Sequence, residues 1–309
     1  MKLFNKDTFG AQELVNVIGL ISSDLDWTKW EPILPLGIRD VAAIIGSDTI
    51  DGIDGFYQSG VDDKGQQEVV RLAQQSVAFF TWLKIIPTLD AQHDTAGRGK
   101  RLGENEQGMT ALQEFKDEDN IRLMAYEAVD ALIDALDAGE YEFWEQSAKK
   151  KDIAELLIRD KEAFDRYYVI GSARLFVTLA PMIREVQNAN IIPIITPERY
   201  RLLVDGDPEM TAKLLDACCL PLALLTMKKA VERLPIEVLP NGIVQVQQSA
   251  TIRDKLRAEK EARQSVAQSL GDDATAYLQQ LQDIIAAMDS AEPDYYISRP
   301  LIHSKGMTF

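Results

Sequence analysis

Histidine and cysteine are nearly missing from this chain of 309 residues, with two of each. His93 and His303 stand without a second histidine or a cysteine at metal-ligand spacing, which argues against a zinc centre. A Ser-His-Asp or Cys-His relay would have to recruit one of the same two rings. Cys218 and Cys219 are neighbours. On consecutive helical positions their side chains diverge by about 100°, so a vicinal bridge would be strained and two buried thiols are the plainer reading. No disulfide framework exists, which fits a reducing compartment. Long hydrophobic runs are also lacking. The longest, Leu220–Leu225, is far short of the roughly 20 residues a membrane helix needs. The opening Met1–Asp7 turns polar too soon for a secretory signal, so the expected location is the cytoplasm of the producing cell. There is no Gly-x-Ser-x-Gly elbow and no Walker-type phosphate loop.

Acid is what the chain has in excess. The formal net charge is −16. Residues 1–145 hold 12 Lys and Arg against 27 Asp and Glu, a net of −15, which leaves −1 for the remainder. Such a field repels nucleic-acid phosphates and suits a basic protein partner.

The second positive feature is a repeat. Leu34–Val41 aligns with Leu179–Val186, with Leu34, Ile38, Arg39 and Val41 matched by identical residues and Asp40 by Glu185. The same offset of 145 lays Val69–Lys84 on Leu214–Lys229, where Ala78, Thr81 and Lys84 meet Ala223, Thr226 and Lys229. Two copies are too few for a solenoid, which needs about three or more stacked units. The expected architecture is therefore mainly α, a duplicated helical domain with a short β-hairpin in each copy. Residues 1–145 form the acidic first copy, and 146–309 the second with its C-terminal tail.

Periodicity and capping residues place helices over Phe9–Ile21, Trp30–Ile45, Asp48 to about Gln58, and Asp62 or Asp63 to Ile86, where Pro87 should end the last. A further long helix is expected over Met109–Leu136. The second copy should carry helices at about 153–169, 173–189, from Pro197, from Pro208 to Arg233 with a kink near Pro221, and at 250–268 and 273–288. Ile236–Val246 around Asn241-Gly242 reads as a hairpin, because Asn-Gly tolerates the positive φ of a tight turn. Residues 88–108 read as a looser counterpart. The triple lysine 149–151 marks an exposed junction.

Carboxylates are the only candidates for chemistry. Glu127, Asp130, Asp134 and Asp137 fall on one face of a helix, a stripe able to bind a divalent ion or act as an acid/base pair. The plainer reading is a solvated face. Asp48, Asp51 and Asp54 are spaced by three, whereas a calcium loop spaces its first ligands by two. Asp205–Glu209 reads as a turn followed by a capped helix. No catalytic, cofactor or metal residue is assigned. Candidate contact residues are Arg98, Lys100 and Arg101 in the one basic island of the acidic copy, Asn241 at the hairpin tip, and Tyr295 and Tyr296 in the tail.

Lys2-Leu3-Phe4-Asn5 with Phe9-Gly10 and Glu13-Leu14, together with Ala230–Pro235 and Val238–Val244, resemble an uncharacterised family encoded by phages and prophages of Bacteroides-type gut bacteria. The resemblance covers most of the chain and brings no catalytic residue with it. It implies a virion or assembly role. A second analogy, at the level of fold, is to phage head–tail connector proteins. The expected partners are then portal, tail or neck proteins or the chain itself, with no cofactor, no membrane and no nucleic acid. The rival expectations are a metal-dependent enzyme using the acidic face and a soluble adaptor.

Overall fold

The structure is a computed structural model that describes residues 2–5, 12–19, 26–60, 62–94, 97–100, 109–206, 208–235, 238 and 252–290. It is mainly helical. In the first half, α1 is Gln12–Ile18, α2 Trp27–Trp30, α3 Leu34–Ile45, α4 Ser47–Ser59, and α5 Lys64–Asp90. A two-stranded antiparallel ribbon follows, β1 Ala91–Asp94 against β2 Gly97–Lys100, with Ala91 opposite Lys100 and His93 opposite Arg98. Helix α6, Ala111–Gly139, returns along α5. The connecting stretch holds three short helices, α7 Glu142–Glu145, α8 Ala148–Ala154 and α9 Lys161–Asp165. Then come α10 Ala173–Val186, one π turn Gln187–Ile191, α11 Ile192–Ile195, α12 Pro197–Asp205, α13 Pro208–Arg233 and α14 Ile252–Ser290. Apart from Val238, the hairpin expected at 236–246 lies outside the described residues, as do Arg101, Asn241, Tyr295 and Tyr296.

One order of elements recurs. In each half a helix (α3, α10) reaches a sharp corner, a second helix (α4, α12) follows, and a long antiparallel helical pair (α5 with α6, α13 with α14) packs against both. The corners share an unusual backbone: Gly46 has φ 96°, ψ 148°, and Thr196 has φ 75°, ψ 154°. The second helix then ends on a left-handed glycine in both halves, Gly60 and Gly206. Side chains repeat as well. Lys84 pairs with Asp40 at 2.6 Å and Lys229 with Glu185 at 2.8 Å. Thr81 and Thr226 are both fully buried, and each donates its hydroxyl to the carbonyl four residues back at 2.7 Å. That bond lets a β-branched polar residue sit inside an apolar helix face without an orphaned group.

Gly37 supplies the close approach of α3 to α5. A Cβ there would lie 2.1 Å from Thr81 Oγ1 and 2.8 Å from the Val77 carbonyl. Its counterpart, Met182, is half-buried against the same cluster, so the second half packs this crossing differently. The buried apolar residues form one continuous cluster from Leu3 to Ile285. Burying an apolar side chain of this size contributes roughly 1.5–3 kcal/mol, so a shared core joins the halves strongly.

Five expected elements differ. The helix expected over Trp30–Ile45 is broken by a turn at 31–33 and begins at Leu34. Helix α5 does not stop at Pro87 but runs on to Asp90. The proline costs the helix the bond its N–H would have made to the Leu83 carbonyl, only one turn before the end, and the Thr88 hydroxyl donates to the Ile85 carbonyl at 2.6 Å. No helix spans 153–169. Residues 155–160 turn, because the Leu157 N–H is captured at 2.8 Å by the Gln187 side chain and Asp160 caps α9 through the Ala163 N–H at 2.6 Å. The two closing helices are one, since Gly271 sits against Lys228 and the buried stripe Ala267, Leu270, Ala274, Leu281, Ile285 stays in helical phase across it. The first helix is shorter in what is described, Gln12–Ile18.

Candidate functional site: the acidic face of α6

Thr110 opens α6 with a capping box: its hydroxyl accepts from the Gln113 N–H, and the Gln113 side chain accepts from the Thr110 N–H at 2.9 Å. The apolar face, with Ala125, Val129, Leu132 and Leu136, is fully buried. The adjoining face carries the acidic stripe, and each carboxylate beyond Glu127 has a partner from the chain that follows.

Asp130 Oδ1 accepts from the Ser172 hydroxyl at 2.8 Å and from the Arg174 N–H at 2.6 Å. Ser172 is itself the N-cap of α10, accepting from the Leu175 N–H at 3.0 Å. A carboxylate thus sits at the positive end of α10, where the helix dipole favours it. The Arg174 guanidinium lies over the Tyr126 ring, 3.9 Å from its centroid. Burial lowers the Arg174 pKa, and the charge of Asp130 opposes that fall. Asp134 is 3.7 Å from Lys161, and its pKa is raised, chiefly by burial. Asp137 pairs with Lys150 at 2.6 Å and accepts from the Trp144 indole N–H at 2.5 Å, while the Lys150 ammonium stands over that ring. Glu127 is exposed.

The stripe is therefore a joint. Three carboxylates of the acidic half hold Lys150, Lys161 and the first turn of α10. Among the described residues no group of three or more acidic, histidine or cysteine side chains converges as a metal site would need. Beside the joint, Asp134, Asp137, Lys150, Arg159 and Lys161 border a cleft of about 30 Å³, room for about two waters. The triple lysine is less exposed than expected: Lys149 and Lys150 are half-buried.

The other sequence candidates fall elsewhere. Arg98 and Lys100 stand on β2, away from the joint in sequence and paired with His93 and Ala91. On α4, Asp51 pairs with Lys2, and Asp54 accepts from the Leu3 N–H at 2.7 Å, so these acids anchor the N-terminal residues 2–5. Gln74 adds a bond from its amide to the Leu3 carbonyl at 2.6 Å. Asp205 ends α12 ahead of Gly206. Cys218 and Cys219 are buried free thiols, and burial pushes the Cys218 thiol up to about 12.

The family of unknown function DUF6712 matches residues 43–154 and 194–298, more than half of the sequence. The chain belongs to this family. Both stretches matched to DUF6712 begin just before a corner, three residues ahead of Gly46 and two ahead of Thr196, and both take in the long helical pair that follows. No curated protein and no solved structure matches this DUF6712 chain. Among the described residues no helix is long and apolar enough to cross a membrane.

Ser172 and Arg174, the partners that turn the stripe into a joint, went unread in the sequence. A Ser before an amphipathic run is a helix-start signal, but nothing local shows that a carboxylate from a distant helix completes the cap.

Proposed function

We propose that this protein is a phage structural or assembly component, a head–tail connector or neck element that works through protein–protein contacts. Its building plan is a helical module doubled within one chain, with the boundary near residue 145. The recurring ion pairs, buried threonines and corner conformations support the doubling, as do the two stretches matched by one family. The observation that carries the functional reading is the occupation of the acidic face. The groups best placed for metal or acid/base work bind cations and a helix cap of the same chain, fixing one half on the other. Such a joint suits a rigid block. The phage resemblance of the sequence supplies the setting, host cytoplasm during assembly and the particle afterwards, with portal, tail or neck proteins as partners.

Immunoblotting of purified particles tests this reading. The protein should co-purify with virions in fixed ratio to the portal. Its absence from particles would defeat the structural-component reading. Tight divalent-ion binding by calorimetry, abolished in Asp130→Ala, would replace it with a metal-dependent activity.

A further inference from the structure

The face of α6 that carries the joint does not stop where the second half stops. Leu112, Phe115, Asp119, Leu123, Tyr126 and Asp130 follow one another at steps of three and four, so they lie on a single stripe of the helix. Toward the C-terminal end this stripe is covered: Tyr126 lies under Arg174, Asp130 caps α10, and Ile133 is 2% exposed. Toward the N-terminal end it is bare. Leu112 is 62% exposed, Phe115 59% and Leu123 40%. Large apolar side chains in a row on solvent mark a contact surface more often than scattered ones do.

We infer that the N-terminal turns of α6 dock a second copy of this chain, helix against antiparallel helix. The inference goes beyond the assembly reading and does not depend on it. The stripe is already a protein-binding surface along its covered length, and the bare part continues it without change of face. The pattern is also self-complementary. An antiparallel pairing that sets Leu112 opposite Leu123 of the second copy also sets Lys116 opposite Asp119, and the two-fold axis makes each contact twice. Lys116 has no ion-pair partner among the described residues, while Asp119 holds Arg122 at 3.1 Å from the side. A contact of so few helical turns falls below the roughly 1,200–2,000 Å² of a stable interface, so the association is weak and grows with concentration.

Sedimentation equilibrium on the full chain, from micromolar to near-millimolar loading, tests it. The average mass should climb from 34.6 kDa toward twice that value. Phe115→Glu should stay at the monomer mass with an unchanged far-ultraviolet spectrum, as expected for an exposed position. Lys116→Glu and Asp119→Lys should each weaken association about fivefold, the range of an exposed ion pair made twice. Both changes together should restore it, which a contact with any other protein would not do. A wild-type chain that stays monomeric at every concentration overturns the inference, and so does a Phe115→Glu chain that associates like wild type.

Discussion

Replacing Asp130 by alanine removes the central acceptor of the joint. Two bonds to one carboxylate oxygen are lost, from the Ser172 hydroxyl at 2.8 Å and from the Arg174 N–H at 2.6 Å. A hydrogen bond to a charged group contributes about 1.5–3 kcal/mol. The two share an acceptor that is only half-buried, so the sum overstates the loss, and about 3 kcal/mol is the expected cost. Asp130→Asn keeps the shape and an acceptor but not the charge, and should cost about 1 kcal/mol. Urea denaturation followed by circular dichroism reads both values. Hydrogen exchange should show the amides of 173–176 losing protection first, because they open with the α10 cap. Ser172→Ala breaks the same cap, so the double variant Asp130→Ala/Ser172→Ala should cost about 1 kcal/mol less than the two singles added. Asp117→Ala, on an exposed turn of the same helix, is the control and should stay within about 0.5 kcal/mol of wild type. If Asp130→Ala also stays within that margin, the stripe is a solvated face after all and the joint is not what fixes the halves.

Gly37→Ala should destabilise by about 3 kcal/mol in the same denaturation assay, since its new methyl would meet the Val77 carbonyl, which the helix cannot move. The corners should respond in opposite directions. Thr196→Gly relieves a positive φ and should stabilise by about 1 kcal/mol after the added chain freedom is counted, whereas Gly46→Ala should destabilise by about 1–2 kcal/mol. Arg233 and Lys229 hold the Glu185 carboxyl down at about 2, below its ordinary 4.5, so its contribution is complete above about pH 4.5 and is lost as the pH falls through 2. The melting-temperature gap between wild type and Glu185→Gln should therefore be widest above pH 4.5 and close toward pH 2; a gap that widens in acid would contradict the pairing.

Much of this architecture is written locally. The offset of 145 located one helix of each long pair, α5 and α13, and the helix each crosses, because the residues it aligned, Thr81 with Thr226 and Lys84 with Lys229, make the same contacts in both halves. The acidic stripe was visible as a stripe. Its meaning was not, because Lys150, Lys161 and Ser172 reach it only through the folded connecting stretch. The break at 155–160 is of the same kind: the residues there look helical, and the amide that stops them belongs to Gln187. Conversely, Pro87 and Gly271-Asp272-Asp273 carry local stop signals that packing on α6 and α13 overrides.

The π turn at Gln187–Ile191 carries the slip between the two halves, since the corner lies 150 residues on from its counterpart and the glycine cap only 146. Gln187 is 1% exposed there, and its side chain reaches the Leu157 N–H, the Glu155 carbonyl at 3.2 Å and the Tyr200 hydroxyl at 3.3 Å. The strap between the halves is thus buttoned from both sides, by Gln187 of the second half and by the α6 carboxylates Asp134 and Asp137 of the first. Written in reverse order, the same two modules would leave that strap with no buttonhole, so the sequence of the halves along the gene is as much a part of the design as their shape.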